Sequence, residues 1–234
     1  MLFDFDGTLS PIVDDPVAAR PAPGVVDLLS QFVGHYRVVA AVSGRPVAFL
    51  ADHLPESITL SGLYGLESRR DGVVQVRPGV EQWRTVVAGA AEQAERAAID
   101  GVLVERKGLS VTLHFRGRPR AAAAVTRLAV DVAASTGLEP RPAKMSIELH
   151  PPVAADKGVV VRELALGARA VLYVGDDVGD LPAFAALRGL RTDGITTVGI
   201  AVETPELPSE LRSVADAVVS GPAGVMDLLR VLLT

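Results

Sequence analysis

The stretch MLFDFDGTLSPI places two carboxylates, Asp4 and Asp6, one residue apart at the end of an apolar run. In an extended strand they point to the same side, where like charges repel unless a cation or a reacting group occupies the gap. Acids and small polar residues recur after other β-rich runs: Ser43, Gly44 and Arg45 after VVAAV, and Asp176 and Asp177 after AVLYVG. Ligands of an open parallel sheet bind beyond the carboxyl ends of its strands, so three such ends on one edge would form a single reactive site. Taken singly, each piece is also compatible with an ordinary turn, because Asp-Gly and Ser-Gly are common strand exits.

Hydrophobic periodicity indicates the elements that would hold these groups. From Met1 to about Arg77, short β-rich runs alternate with helical ones as βαβαβ, and the fully apolar strand Val38–Val42 is what a sheet covered on both faces requires. The same grammar returns in GVVVRELALG, AVLYVGDD, DLPAFAALRGL and ITTVGIAV. Between them lies an αββαββ insert: a helix from about Val80 to Ile99, strands at GVLVERKG and SVTLHFRG, a helix across Ala121–Ser135, and strands at LEPRPA and KMSIELHP. The expected fold is α/β, a Rossmann-like parallel-sheet core of residues 1–78 and 153–234 with an inserted α+β domain at 79–152. The hinges fall at QVRPG and HPPVAADKG. Only three residues precede Asp4, against a usual strand length of about 5–6, so the first strand is expected to be short or the natural reading frame to begin upstream.

The chain of 234 residues is 49% hydrophobic and 22% charged, with a net charge of -5 and no cysteine. That balance argues against a nucleic-acid surface, and the lack of cysteine excludes disulfides, thiolate metal sites and a cysteine nucleophile. No basic region precedes an apolar stretch and no run is long enough to span a bilayer, so a cytoplasmic protein without membrane contact, favoured as a monomer, is expected. No Gly-x-Gly-x-x-Gly follows the first strand and no P-loop is present, which argues against a nucleotide cofactor.

Asp4, Asp6 and Thr8 on the first strand, Ser43 at the second, Lys157 before a helix, and then Asp176, Asp177 and Asp180 occur in an order that resembles the haloacid dehalogenase superfamily of phosphatases. The resemblance implies that Asp4 attacks phosphorus to form an aspartyl-phosphate and that Asp6 gives and takes the proton. It also implies that Ser43 and Lys157 hold the phosphoryl oxygens. It further implies Mg²⁺, bound by Asp4, the backbone carbonyl of Asp6 and Asp176, with Asp177 and Asp180 holding its waters or ligands.

The insert then resembles the cap of the trehalose-6-phosphate phosphatase family, through DFDGTLSPI, SGRP, GLYGLE, VERKGLSVTLHFR, KMSIELHPPVAADKG and GDD. What the resemblance implies is hydrolysis of trehalose 6-phosphate, a small sugar phosphate. Glu105, Lys107 and Glu148 would meet the sugar, and Arg45 the phosphate or the cap. The alternatives are a same-face salt bridge for Glu105 and Lys107, an exposed helix-start residue for Arg45, and a polar sheet face or hinge contact for His114 and Arg116. At the level of function they are another sugar phosphate or a non-catalytic sugar-phosphate sensor. Two departures stand out: Tyr64 replaces the family's usual His, and GDDVGDLPAF replaces the usual Thr-Asp-Glu-Asp, keeping Asp180 but substituting Gly179, Leu181 and Pro182.

Overall fold

A computed structural model describes residues 1–143, 145–205 and 207–233. Lys144, the first residue of the expected strand KMSIELHP, therefore lies outside the described residues. The first part of the chain runs β1 (Leu2–Phe3), α1 (Val25–Phe32), β2 (Ala40–Val42), α2 (Val47–Ala51), β3 (Thr59–Gly62), β4 (Glu67–Arg70) and β5 (Val73–Val76). Next come α3 (Arg84–Arg96), β6 (Leu103–Arg106), β7 (Val111–His114), α4 (Ala122–Thr136), β8 (Glu139–Ala143) and β9 (Ser146–His150). The last part is α5 (Lys157–Leu164), β10 (Ala170–Gly175), α6 (Leu181–Thr192), β11 (Thr196–Glu203), α7 (Ser209–Val214), β12 (Ala217–Ser220) and α8 (Gly221–Leu232). Two compact units result, Met1–Gln75 with Ala155–Thr234, and Val76–Ala154.

The first unit is built on an eight-stranded sheet of order β12-β11-β10-β1-β2-β3-β4-β5. Strands from β12 to β3 run parallel, and β4 turns back antiparallel on β3. Alternate residues of each central strand face opposite ways. Phe3, Ala41, Val174 and Ile200 enter a core with Val25, Leu29 and Leu229. Leu2, Ala40, Val42, Tyr173 and Ala201 enter a second core with Val160, Val161, Phe184 and Leu187. Burial on both faces explains the near-continuous apolar strands. β1 is short, but the ladder goes one residue further, since the Asp4 N–H donates to Val174 O at 2.9 Å. The β4–β5 pair goes beyond the βαβαβ expectation, and the Asp71–Gly72 turn between them, both at positive φ, was its signal.

A charged clip ties α6 to the β11–β12 edge. Asp216 accepts from Gly199 N–H at 2.8 Å and from Arg191 Nη2 at 2.8 Å. The backbone N–H first and the guanidinium second hold its carboxyl below the usual range. A depressed carboxylate contributes stability above its unfolded value and loses it as pH falls through the folded one. Asp216→Asn should therefore cost less than about 1 kcal/mol of stability at pH 7, read as a lower urea midpoint, because the pair is half exposed. The difference from wild type should close as the pH drops below the ordinary aspartate value.

The second unit has the αββαββ order, with β6-β7-β9-β8 antiparallel. One sheet face, with Val111, Leu113 and Leu149, packs on Val87, Ala91, Val125 and Val132 of α3 and α4. Pro140 and Pro142 lie in β8, an edge strand, where a missing N–H breaks no central ladder. The opposite face is polar, and it carries one register row across the sheet: Glu105, Thr112, Glu148 and Arg141. No helix among the described residues is long and apolar enough to cross a membrane.

Candidate active site

The carboxyl ends of β1, β2 and β10 bring the sequence-separated acids together. Lys157 is the first residue of α5, a helix capped by Asp156, whose side chain accepts from Val159 N–H at 2.7 Å. That cap aims the lysine inward, where Nζ lies 2.7 Å from Asp4 Oδ1 and 2.6 Å from Asp180 Oδ1. Asp180 Oδ1 also accepts from the Tyr173 hydroxyl at 2.6 Å, while Oδ2 accepts the backbone N–H groups of Asp176 and Asp177 at 2.8 and 3.1 Å. Four bonds use the capacity of a carboxylate, so Asp180 holds Lys157 and the Asp176–Asp177 turn in place. Asp177 turns its side chain to Gly179 N–H at 2.8 Å. Tyr173 was not picked out from the sequence; a tyrosine in an otherwise apolar buried strand, which needs a hydroxyl partner, was the available signal.

Oxygens of Asp4, Asp176 and Asp180, all buried, lie within 4.8 Å of one another. Gly7, at φ 82°, is required for this: a Cβ there would sit 2.1 Å from Asp176 Oδ2. Asp180 spends its acceptor capacity on those four bonds, so Asp4 and Asp176 are the carboxylates left for an ion; all-oxygen, anionic donors are of the kind that hard divalent cations prefer, and the residues present fit Mg²⁺. Burial is the largest influence on Asp4 and, with Asp180, Asp176 and Asp177, raises its carboxyl well above the usual range despite the opposing ammonium of Lys157. Burial pulls Lys157 down, but Asp180 and Asp4 outweigh it and hold the ammonium well above its ordinary value. One lysine among four carboxylates leaves excess negative charge, which a divalent cation would offset.

Ser43 is buried at the end of β2, and its Oγ accepts from Arg45 N–H at 3.1 Å. Arg45 is not an exposed helix-start residue: its side chain is 12% exposed. Its Nε and Nη2 grip both oxygens of Asp6 at 2.8 Å, its Nη1 donates to Pro16 O at 2.6 Å, and its guanidinium lies 4.6 Å from the Phe49 ring centroid. The Asp6 side chain thus stands outside the three-carboxylate group, paired with a cation, and is 36% exposed.

In the second unit, Glu105, Lys107 and Glu148 gather on the polar sheet face. Lys107 Nζ lies 3.2 Å from Glu148 Oε2 and 3.9 Å from Glu105 Oε2. Thr112 donates to Glu148 Oε2 at 3.3 Å, and His114 Nε2 meets Glu105 Oε2 at 2.7 Å. Glu148 Oε1 is buried and accepts no hydrogen bond among the described residues, and the buried Oγ of Ser110 has no hydrogen-bond partner among them either. Unsatisfied buried polar atoms on a face rich in acceptors and donors suit a polyhydroxy ligand. Arg116 lies beyond the end of β7.

Comparison with known proteins gives this geometry a lineage. A family model described as trehalose-phosphatase matches residues 2–217. A trehalose-phosphate phosphatase of Mycolicibacterium paratuberculosis is 35% identical over 207 residues, which are 83% of this chain and 53% of that protein. The chain spans about half the length of the curated relatives it matches. Among solved structures, the C-terminal domain of a C. albicans trehalose-6-phosphate phosphatase aligns with a TM-score of 0.81 at 24% identity, covering 99% of this chain and 90% of that one. A trehalose-6-phosphate phosphatase related protein aligns with a TM-score of 0.79 at 24% identity, covering 99% and 96%. The latter two are similarities of fold. On the strength of the family model and the relatives, the chain belongs to the trehalose-phosphatase family.

Proposed function

We propose that this chain is a Mg²⁺-dependent phosphatase that hydrolyses trehalose 6-phosphate to trehalose and phosphate through a phosphoryl group carried on Asp4. The observation that carries the proposal is the buried Asp4 carboxylate, 2.7 Å from the Lys157 ammonium and grouped with Asp176 and Asp180, in a chain of this family. In this reading residues 1–78 and 153–234 are the catalytic core and 79–152 the cap that selects substrate. Asp4, Asp176 and the backbone carbonyl of Asp6 would hold Mg²⁺, which when bound would offset charge between the carboxylate nucleophile and the phosphoryl oxygens.

An Asp4 oxygen attacks phosphorus as the bond from phosphorus to the sugar oxygen breaks. Asp6 gives that oxygen a proton; water then attacks the phosphoryl-aspartate, Asp6 takes its proton, and the Asp4 carboxylate is regenerated with release of phosphate. Arg45 uses about two of the four lone-pair directions of the Asp6 carboxylate, which leaves directions for the proton, and the 36% exposure of Asp6 gives it access to water. Ser43 and Lys157 steady the phosphoryl oxygens, and Asp180 and Tyr173 keep Lys157 in place. Asp177, bound to Gly179 N–H, shapes the turn that presents Asp176.

For the sugar, the open acceptor of Glu148 and the ammonium of Lys107 supply one partner of each kind for vicinal hydroxyls. Glu148→Gln keeps the shape but turns one of the two acceptor oxygens into a donor NH2 and loses the charge. It should raise KM for trehalose 6-phosphate by about 10- to 100-fold, the worth of a charged hydrogen bond, with a smaller change in kcat.

Phosphate release from trehalose 6-phosphate and from glucose 6-phosphate, with Mg²⁺ and with chelator, tests the reading. We expect higher kcat/KM for trehalose 6-phosphate and loss of both activities with chelator. A folded protein that released no phosphate from either would overturn it, and preference for glucose 6-phosphate would move the assignment to another sugar phosphate.

A further inference from the structure

Leu63 and Tyr64, just past β3, are consecutive non-glycine residues in the left-handed region, at φ 51° and 55°. That conformation is costly for an L-residue and persists only where its surroundings enforce it. Here the turn after β2 enforces it. Leu63 N–H donates to Arg45 O and Tyr64 N–H to Ser43 O, both at 3.0 Å. Gly62 approaches so closely that a Cβ would lie 2.7 Å from Arg45 O and 2.7 Å from Val47 N.

The twisted backbone lays the Tyr64 ring across two other turns. A Cβ on Gly44 would lie 2.7 Å from Tyr64 Cζ and 2.8 Å from its hydroxyl oxygen. On the other edge of the ring, a Cβ on Gly179 would lie 3.4 Å from Tyr64 Cε1 and 3.0 Å from Asp177 Oδ1. The ring therefore lies between the turn that carries Ser43 and the turn that carries Asp176, Asp177 and Asp180, and it meets both where a side chain is missing. A phenol at 64 and the missing side chain at 179 thus meet in space.

We propose that Tyr64 and Gly179 are a matched pair and that Tyr64 is a positioning residue: its ring sets the spacing between the Ser43 turn and the Asp176–Asp180 turn. The inference rests on the phosphatase reading, because the spacing matters only if Ser43 and Asp176 serve one phosphoryl group. Packing at this contact makes the two positions interdependent, as neighbours that share a cavity are. A Cβ at 179 would already touch Asp177 Oδ1 at 3.0 Å and the phenol at 3.4 Å, so the further atoms of a branched side chain crowd both, while imidazole at 64 with glycine at 179 leaves a gap.

A double-mutant cycle tests this on the full chain: wild type, Tyr64→His, Gly179→Thr and the double variant, with Tyr64→Phe beside them. Thermal midpoints without substrate read the packing; kcat and KM for trehalose 6-phosphate with Mg²⁺ read the positioning. Each single variant should lose about tenfold in kcat with little change in KM. The double variant should return to within about threefold of wild type instead of showing the roughly hundredfold loss of independent sites. Tyr64→Phe, which keeps the ring, should lose less than Tyr64→His, and the midpoints should show the same non-additivity. Losses that multiply in rate, or add in midpoint, overturn the pairing. Coupled midpoints with unchanged kcat in both single variants overturn the positioning role. A wild type that releases no phosphate from any sugar phosphate overturns the phosphatase reading and the positioning role with it, and the midpoints still read the packing. Should Gly179→Thr fail to fold, Gly179→Ala takes its place in the cycle.

Discussion

Asp4→Asn will lower phosphate release by about 10⁴-fold or more, the scale of losing a nucleophile, and will leave the protein at least as stable as wild type in metal-free buffer. Asparagine keeps the size of the side chain and can still accept from Lys157, but an amide is not a nucleophile towards phosphorus at neutral pH. The stability half of the prediction follows from the charges. Asp4 is one of four carboxylates, with Asp176, Asp177 and Asp180, that face a single lysine. Removing one of them relieves repulsion and leaves Lys157 paired with Asp180 at 2.6 Å. A residue whose removal abolishes turnover while the fold is kept or strengthened is held for chemistry and not for stability. Activity assays together with thermal unfolding of the same preparation check both halves. An unfolded Asp4→Asn protein would show the carboxylate to be structural.

Lys157→Met should do the opposite to stability. The ammonium is buried and bridges Asp4 and Asp180 at 2.7 and 2.6 Å. Methionine fills much of the lysine's volume, so the loss reports charge more than packing. Deleting one partner of a buried ion pair leaves uncompensated charge and costs about 3–5 kcal/mol. Asp180 would keep its bonds from Tyr173 and from the Asp176 and Asp177 N–H groups, so the turn should retain its shape while Asp4 loses its cation. Turnover should fall with stability, and urea unfolding beside phosphate release measures both. A variant as stable as wild type would mean that the ion pairs contribute nothing net to the fold.

The sequence was most informative where chemistry is written in short runs. Asp4 and Asp6 share one strand end, Asp176, Asp177 and Asp180 share one turn, and the strand-exit pattern places both on the same edge of a parallel sheet. The αββαββ insert was equally legible, because alternation on β7 and β9 and helical spacing on α4 repeat the demands of a one-faced core. The hairpin of β4 and β5, and α7, β12 and α8, were not picked out.

Contacts that depend on distant turns were out of reach. The grip of Arg45 on Asp6 joins residues 39 apart, and nothing local in the sequence points to it. Tyr64 read as a lost imidazole; that its ring meets the missing side chains of Gly44 and Gly179 follows only from how three turns pack. Tyr173 was not singled out, and its role emerges only where Asp180 accepts its hydroxyl.

The central claim is that phosphorus passes through Asp4. Rapid acid quench of the Mg²⁺-loaded protein with trehalose 6-phosphate labelled in its phosphoryl group, followed by peptide mass spectrometry, tests it most directly. The account predicts a transient, hydroxylamine-sensitive phosphoryl group on the peptide that contains Asp4, formed and lost at rates consistent with turnover and missing in Asp4→Asn. Turnover of labelled substrate with no label on that peptide at any quench time, or label on another residue, would contradict it.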